Sequence, residues 1–206
     1  MKRCVIFAGA DVADYHFIAQ RLQEDDYLVC ADSGLKHALR LGVTPHLLVG
    51  DFDSFEGALP PQVETILLKS EKDDTDTAHA IEVALQRGYT DFMLFGAVGG
   101  RLDHTLANLS AMYSLLCRGC SCLISDQSYE MRMVQNGTLH VVKGPWQYLS
   151  VFPYAGDAVG VTLTGVKYPL KKYHMVPQCA IGVSNEVVDD TAGITVEQGT
   201  LFIIQN

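Results

Sequence analysis

The chain of 206 residues lacks long apolar runs and has few basic residues for the number of its acids. No stretch of about 18 uncharged apolar residues occurs, so we predict no membrane-spanning helix. Lysine and arginine number 15 against 24 aspartate and glutamate residues, which gives a formal net charge of −9. Because duplex nucleic acid is bound through a basic face, this balance argues against nucleic acid as a partner. Phosphates can still bind where a divalent metal or backbone N–H groups supply the positive charge.

The six cysteines lack the pattern of a disulfide framework. Cys4 and Cys30 lie within apolar runs, which favours reduced thiols and a cytoplasmic location. Cys117, Cys120 and Cys122 are similar to part of a zinc knuckle, but no fourth Cys or His nearby completes a tetrahedral set.

The two halves of the chain differ in the rhythm of their apolar residues. Up to about residue 126, short apolar runs alternate with helical stretches, which predicts a parallel sheet with helices on both faces. Those runs are residues 4–8, 27–31, 47–49, 65–68, 92–95 and 122–124. From Tyr129 onward no helical period is visible, and short strands separated by Gly and Pro predict an antiparallel β-sandwich. We therefore predict an α/β domain over residues 1–127 and a small β-sandwich domain over residues 128–206.

Some local patterns predict individual elements. Asn136-Gly137 between two strand-like runs is typical of a β-hairpin, and residues 180–183 resemble a further short strand. Asp103 can cap a helix, and Gly119 can end it. Steps of three and four residues predict one apolar face for that helix, made by Leu102, Leu106, Leu109, Tyr113 and Leu116.

Polar clusters containing aspartate follow four of the predicted strands. In an open parallel sheet ligands bind outside the carboxyl ends of the strands, so these clusters share one edge. Converging carboxylates repel one another, and Mg²⁺ with phosphate oxygens is the usual group that neutralises them. Glycines in the last cluster let the backbone approach a phosphate, and an arginine offers it a planar fork, so a metal–phosphate site is predicted. The clusters are Asp32-Ser33-Gly34, Gly50-Asp51-Phe52-Asp53-Ser54, Asp73-Asp74-Thr75-Asp76 and Gly99-Gly100-Arg101-Leu102-Asp103-His104.

Most of these clusters also have a purely local explanation. A helix cap would by itself explain Asp103, and the preference of helix N-termini for acids would explain Asp73 and Asp76. The cluster at Asp32 is an ordinary turn sequence. Two acids on either side of one Phe, directly after a buried strand, are harder to explain by a turn alone. His104 is the histidine that its position beside the acids marks as functional.

In order and spacing, the four clusters resemble the motifs of the thiamine pyrophosphokinase family. Gly165-Val166-Lys167-Tyr168-Pro169-Leu170 is similar to the family's Gly-Leu-Lys-(Trp/Tyr)-x-Leu, and Ser184-Asn185-Glu186 to its Ser-Asn-Glu. The resemblance covers nearly the whole chain. It implies an α/β domain followed by a β-sandwich, in a homodimer whose thiamine site is shared between domains and subunits. It also implies transfer of the β,γ-pyrophosphate of ATP to the hydroxyethyl group of thiamine, with release of AMP.

The resemblance implies a role for each cluster. Mg²⁺ is expected on Asp51, Asp53 and Asp76, and Asp103 is expected to orient Arg101 or a metal-bound water. The expected catalytic set is Asp51, Asp53, Asp76, Arg101 and Asp103. The expected nucleotide-binding set is Asp32, Ser33, Asp73, Gly99, Gly100, Arg101 and His104.

For thiamine, the expected contacts lie in the second half of the chain. Tyr168 is expected to stack on a ring of thiamine, and Ser184 and Asn185 to hydrogen-bond its aminopyrimidine. On spacing alone, core packing of Tyr168 and a plain β-turn at Ser184-Asn185 explain these residues equally well.

One departure and two alternatives remain at this point. The family usually has Asp-Gly-Gly where this chain has Asp32-Ser33-Gly34, and a positive φ at the middle position would strain Ser33. A related pyrophosphokinase acting on another alcohol, such as a pterin, would use the same acids. A non-catalytic nucleotide-binding module would keep Arg101 and the glycines, but it has no need of so many metal-binding acids.

Overall fold

The computed structural model describes residues 2–53, 55, 57–69 and 74–206. The chain divides into two compact units, Met1–Gln127 and Ser128–Asn206.

In the first unit, short strands alternate with helices. The described strands are β1 (Cys4–Phe7), β2 (Tyr27–Ala31), β3 (Leu47–Gly50), β4 (Glu64–Leu67), β5 (Asp91–Phe95) and β6 (Ser121–Asp126). The helices are α1 (Tyr15–Ala19), α2 (Leu35–Leu41), α3 (Asp76–Gln86) and α4 (Leu102–Cys117), with a single-turn 3-10 helix at Asp32–Gly34. The apolar runs of the sequence therefore become strands, as predicted.

The strands of the first unit are parallel and lie in the order β4-β3-β2-β1-β5-β6. From β1 the chain moves outward to β4, and it then returns to the other side of β1 to form β5. The strand order therefore reverses between β1 and β5. Such a switch point leaves a crevice at the carboxyl ends of the strands, which is where ligands of open α/β sheets bind.

Buried side chains cover both faces of this sheet. Val5 and Phe7 of β1 belong to a cluster with Ile18 of α1 and Leu35 of α2. Alternate residues of a strand point to opposite faces, so the fully buried Ile6 lies on the other side of the sheet. The predicted α/β architecture is confirmed.

Helix α4 corrects the predicted apolar face. Its buried residues are Asn108, Met112 and Leu115, whereas Leu102 and Leu106 are 71% and 56% exposed. The spacing of the leucines predicted one apolar face of the helix, but the face that packs on the sheet is the adjacent one. Gly119, with a φ of 74°, follows the end of the helix, as predicted.

The second unit is built from long antiparallel strands. The described strands are β7 (Tyr129–Val142), β8 (Leu149–Thr164), β9 (Leu170–Met175) and β10 (Thr191–Gln205), in the order β7-β10-β8-β9. They enclose a separate core that includes Val151, Leu163, Ile194 and Leu201.

The predicted hairpin at Asn136-Gly137 is wrong. Strand β7 runs through both residues, and the irregularity falls on its partner β10, where the register shifts between Val196 and Thr200. Asn136 takes a φ of 45°, and its side-chain oxygen accepts a hydrogen bond of 2.9 Å from the N–H of Gly199. The Asn-Gly signal thus marks a bulge within a long strand pair instead of a chain reversal. The strand predicted at residues 180–183 is also wrong, because those residues lie in turns outside the strands.

All six cysteines lie among the described residues, and all are free thiols. Burial raises the pKa of Cys4 and of Cys30 to about 12, which keeps both protonated. No helix in the described ranges has the length and apolar character needed to cross a membrane.

Candidate active site

A cavity of about 400 Å³ lies at the carboxyl ends of the parallel strands. Residues after β1 (8–11), β2 (Asp32 and Ser33) and β5 (Gly96 and Ala97) line it. The loop before α4 (Gly99, Gly100 and Arg101) and helix residues complete the lining; the helix residues are Lys36, Thr77, His104 and Asn108. The cavity therefore occupies the crevice that the reversal of strand order between β1 and β5 creates.

Asp32 is the aspartate of this cavity with the most unusual environment. Its backbone has a φ of 45°, and its Oδ1 atom is buried with no hydrogen-bond partner among the described residues. Burial is the main cause that raises the pKa of this carboxyl, and the charges of Asp76, Asp51 and Asp53 raise it further. Four aspartates from three of the predicted clusters are thus close enough for three of them to shift the pKa of the fourth.

Glycine makes the approach of Asp32 and Asp51 possible. A Cβ on Gly50 would lie 2.9 Å from the Cα of Asp32, closer than backbone atoms allow. The next residues form a tight turn, in which Phe52 has a φ of 54° and buries its ring in the core. The N–H of Asp53 donates to Oδ1 of Asp51 at 3.3 Å. Gly50, the buried ring of Phe52 and the two flanking aspartates therefore belong to one local structure.

Asp76 opens α3 but does not cap it. The capping group is the hydroxyl of Thr75, which accepts a hydrogen bond of 3.2 Å from the N–H of Ala78. A helix N-terminus favours an acid in its first turn, so part of the local explanation for Asp76 holds. Asp73, which we expect in the nucleotide site, lies outside the described residues. No three His, Cys, Asp or Glu side chains in the described ranges form a ready-made metal cluster.

Arg101, just before α4, and Asp103, in its first turn, form a bidentate ion pair. Nε and Nη2 of Arg101 donate to the two carboxylate oxygens of Asp103 at 3.2 and 2.6 Å. This pairing lowers the pKa of Asp103 to about 2. The N-cap position falls on Arg101, so the predicted cap at Asp103 is wrong, although its Oδ1 also accepts from the N–H of His104 at 3.0 Å.

Gly99 and Gly100, in the loop before α4, line the cavity. Gly99 and Gly100 have φ values of 116° and 62°, which glycine adopts without strain. Gly99 donates its N–H to Oγ1 of Thr105 at 3.2 Å, and Asn108 donates to the carbonyl of Ala97 at 2.7 Å. The shape of this loop is therefore set by side chains of α4.

Ser33 fits its position without strain. It lies within the 3-10 helix Asp32–Gly34, so the positive φ of this turn falls on Asp32 and not on Ser33. A Cβ on Gly9 would lie 2.4 Å from Oγ of Ser33, so the glycine makes room for the hydroxyl. Gly34 is equally constrained, because a Cβ there would lie 2.0 Å from the carbonyl oxygen of Phe7.

In the second unit, Asn185 holds the backbone of Tyr168. Its Oδ1 accepts from the N–H of Tyr168 at 2.9 Å, and its Nδ2 donates to the carbonyl of Tyr168 at 2.8 Å. Lys167 donates to Glu186 at 2.7 Å beside this pair, and the ring of Tyr168 remains 59% exposed. Ser184 has a φ of 58° and donates its N–H to Oγ of Ser150 at 3.2 Å. Core packing therefore does not explain Tyr168, and the amide of Asn185 is engaged in holding it.

Comparison with known proteins identifies both units. The thiamin pyrophosphokinase catalytic domain matches residues 18–124, and the thiamin pyrophosphokinase vitamin B1 binding domain matches residues 136–201. This chain belongs to the thiamin pyrophosphokinase family. Members of the family are ATP-dependent kinases that transfer pyrophosphate from ATP to thiamine. The predicted family, its two-part fold and its reaction are thereby confirmed.

Individual thiamin pyrophosphokinases align with the chain along its length. Thiamine pyrophosphokinase of Bacillus subtilis strain 168 is 29% identical over 212 residues, covering 100% of this chain and 99% of that protein. A crystal structure of the Bacillus subtilis enzyme covers 100% of this chain and 99% of its own, with a TM-score of 0.91 and 27% identity. The Geobacillus thermodenitrificans enzyme gives a TM-score of 0.86 at 28% identity and covers 100% and 97%. Yeast thiamin pyrophosphokinase, at 14% identity and a TM-score of 0.75, covers 99% and 86% and shows the shared fold alone.

Sequence motifs of the thiamin pyrophosphokinase family led to the residues after β2, β3 and β5 but missed the loop after β1. That loop lines the cavity because β1 pairs with β5. This pairing cannot be predicted from the order of the strands along the chain. Two side chains of α2 that hold this loop, Lys36 and His37, were missed as well. Lys36 lies two residues after the motif Asp32-Ser33-Gly34, and its single charge gave no pattern that could have identified it.

Proposed function

We propose that this chain transfers the β,γ-pyrophosphate of ATP to the hydroxyl group of thiamine with the help of Mg²⁺, releasing AMP. The observation that carries the role of Mg²⁺ is the buried Oδ1 of Asp32, which has no hydrogen-bond partner in the described ranges. Burial and three further carboxylates raise the pKa of this group. A divalent cation would give the oxygen a ligand and would remove the repulsion, so the residues present fit Mg²⁺.

Asp51, Asp53 and Asp76 are the residues that would hold the metal, and Asp32 would complete their charge set. Bound there, Mg²⁺ would neutralise charge that develops on the transferred group and on the AMP leaving group. The described side chains form no closed metal cluster. Mg²⁺ usually keeps several waters and takes phosphate oxygens from its substrate, so one or two of these carboxylates would bind it directly and the others would act through water or charge.

Phosphate oxygens would be held by Arg101 and by the backbone of Gly99 and Gly100, where the N–H of Gly99 would exchange Oγ1 of Thr105 for a phosphate oxygen. Asp103 fixes the guanidinium of Arg101 through two hydrogen bonds, and His104 lines the same cavity. The loop is already shaped by its hydrogen bonds to Thr105 and Asn108, so less conformational entropy would be lost when the nucleotide binds.

Thiamine would bind through the second unit. The exposed ring of Tyr168 can stack on the cationic substrate, and Ser184 lies in the neighbouring turn. The hydroxyl of thiamine would attack the β-phosphorus in line. Transfer of this type needs mainly positioning and charge neutralisation, so an aspartate that accepts the proton need not be a strong base.

We further place the enzyme in the cytoplasm, as a homodimer. Six free thiols support a reducing compartment. Two exposed leucines on α4, Leu102 and Leu106, offer apolar surface that a second subunit can cover.

The test is to follow AMP and thiamine diphosphate together during incubation with ATP. We expect both products in equal amounts, and only when ATP, thiamine and Mg²⁺ are all present. A parallel incubation replaces thiamine with a hydroxymethyl pterin.

The two alternatives give different results in the same assay. AMP that appears with the pterin but not with thiamine would identify a different pyrophosphokinase. Binding of Mg-ATP without AMP from either acceptor would identify a nucleotide-binding module.

A further inference from the structure

Lys36 places an ammonium group on the wall of the nucleotide cavity, outside the motifs discussed above. Its Nζ donates to the carbonyl of Gly9 at 2.9 Å and to Oδ1 of Asp11 at 2.8 Å. About a third of the side chain (35%) is exposed. An ammonium has three N–H donors, so these bonds leave one for a further acceptor at the cavity.

The cavity needs positive charge if a triphosphate is to enter it. Asp32 already lies there under the influence of three other carboxylates, and the triphosphate is itself strongly anionic. Arg101 directs its Nε and Nη2 to Asp103, so part of its charge is offset before a nucleotide arrives. Lys36 comes from a different segment of the lining, at the start of α2, and adds a second cation to the site.

The partner of Lys36 is easily exchanged. The side chain of Asp11 is fully exposed (100%), and its hydrogen bond with Lys36 lowers its pKa. Exposed ion pairs contribute little to stability, because water and salt screen them. A phosphate carries more charge than a carboxylate and offers more acceptor oxygens, so it competes well for the same ammonium.

We propose that Lys36 binds a phosphate oxygen of the nucleotide and that Asp11 is the counter-ion it exchanges for that oxygen. This rests on the proposed function only in taking ATP as the occupant of the cavity. The carbonyl of Gly9 keeps the ammonium in place in both states.

A purely structural role for Lys36 makes a different prediction. If Lys36 only ties down the loop after β1, removing either partner of the ion pair loosens that loop. Lys36→Met and Asp11→Asn would then weaken nucleotide binding together. If Lys36 contacts phosphate, Lys36→Met weakens nucleotide binding and Asp11→Asn does not.

The experiment measures the Kd of a non-hydrolysable ATP analogue with Mg²⁺ by calorimetry, and the KM values for ATP and thiamine. For Lys36→Met we expect a Kd and an ATP KM about tenfold higher, the effect of one charge-assisted hydrogen bond, with thiamine KM unchanged. Lys36→Arg should recover most of the affinity, and Asp11→Asn should give a Kd no higher than that of the unaltered chain. Lys143→Met, which removes one positive charge from the second unit, controls for net charge. Thermal unfolding of each variant checks that it is folded.

Two results would overturn the role of Lys36 while leaving the proposed function intact. One is an unchanged Kd for Lys36→Met, and the other is a Kd for Asp11→Asn raised as much as that of Lys36→Met. If Lys36→Met does not fold, Lys36→Arg and Asp11→Asn still decide between the two roles. An unaltered chain that neither binds the analogue nor forms AMP would overturn the proposed function itself.

Discussion

The carboxyl groups of Asp32, which lines the cavity, and of Asp103, whose partner Arg101 lines it, have pKa values shifted in opposite directions. Burial and neighbouring acids raise the pKa of Asp32, whereas Arg101 lowers that of Asp103 to about 2. Asp103 is therefore already neutralised by its partner, while Asp32 lies where a cation is needed. We therefore propose that Asp32 belongs to a cation-binding group of aspartates, whereas Asp103 orients an arginine.

The first prediction concerns Asp53. Asp53→Asn should lower kcat by about 10²–10³-fold, because it removes a carboxylate proposed to hold the Mg²⁺ that would neutralise charge developing in the transition state. Asp53 is exposed, so the melting temperature should change little. Steady-state assays with Mg-ATP and thiamine, together with thermal unfolding, measure both effects.

The matched control for Asp53 is Asp25→Asn, an exposed acid in the connection between α1 and β2. It removes the same charge and should leave kcat unaltered. A near-normal kcat for Asp53→Asn with Mg²⁺ would contradict the metal assignment.

The second prediction concerns Tyr168. Tyr168→Ala should raise the KM for thiamine about tenfold and leave kcat within about threefold, since stacking on a cation is worth about 1–2 kcal/mol. Tyr168→Phe keeps the ring and should resemble the unaltered chain. Steady-state kinetics with thiamine as the varied substrate measures the change. An unchanged KM in Tyr168→Ala would leave this residue without a role in binding.

At the scale of elements, α2 fixes the loop that follows β1. The fully buried His37 has its Nε2 2.9 Å from the carbonyl oxygen of Ala10 and its Nδ1 2.8 Å from the hydroxyl of Tyr15. The carbonyl accepts, so Nε2 carries the proton and Nδ1 accepts from Tyr15 in the neutral ring. Gly96 gives this ring room, because a Cβ there would lie 3.0 Å from Nε2. The histidine thereby joins α2 to the loop after β1 and to the first residue of α1.

The third prediction follows from the burial of His37, which lowers its pKa below the ordinary value of 6.5. Lys36 and Asp11 are the charged groups that act on it, and Arg40 donates to the hydroxyl of Tyr15 beside it at 3.4 Å. The unfolded chain binds the proton more readily than the folded chain does. The stability due to neutral His37 is therefore complete above pH 6.5 and is lost as the pH falls from 6.5 towards the folded pKa.

Urea unfolding at pH 7.5 and pH 5.5 tests this linkage. The unaltered chain should lose up to about 1 kcal/mol more than His37→Gln over this interval, since each proton linked to unfolding is worth up to about 1.4 kcal/mol per pH unit. His140→Gln, at an exposed position, should keep the full pH dependence. Equal losses in the unaltered chain and in His37→Gln would show that another group is responsible.

At the scale of the whole molecule, a chain with a net charge of −9 has to bind a polyanion. Its acids at the strand ends would repel ATP if no cation came with it. The fourth prediction is therefore that ATP with Mg²⁺ raises the melting temperature, whereas ATP with excess EDTA does not, because ligands stabilise only the state they bind.

Differential scanning fluorimetry measures the shift, and Mg²⁺ added beyond the EDTA should restore it. EDTA alone should leave the melting temperature unchanged, because the described side chains form no closed metal cluster that the fold depends on. An equal shift by ATP with and without Mg²⁺ would contradict a metal-dependent site.

Much of the fold could be predicted because its signals are local. Continuous apolar runs became the parallel strands, and a change of rhythm near Asp126 separated the α/β part from the β-rich part. Errors arose where a local pattern was compatible with two tertiary outcomes. Asn136-Gly137 suits a hairpin as well as a bulge, and the leucine stripe of α4 lies beside the stripe that the sheet covers.

The sequence by itself determined the family, the reaction and the acids at three strand ends, because these depend on residue types at fixed spacing. Only the tertiary structure decided which segments meet. Strand order brings the loop after β1 against β5, where Lys36 lines the cavity and both Lys36 and His37 bond carbonyls of that loop. It also decided charge states, because the pKa of Asp32 depends on burial and on carboxylates from other strands and helices. Spacing along a chain encodes chemistry, whereas distance and burial arise only when separate segments pack together.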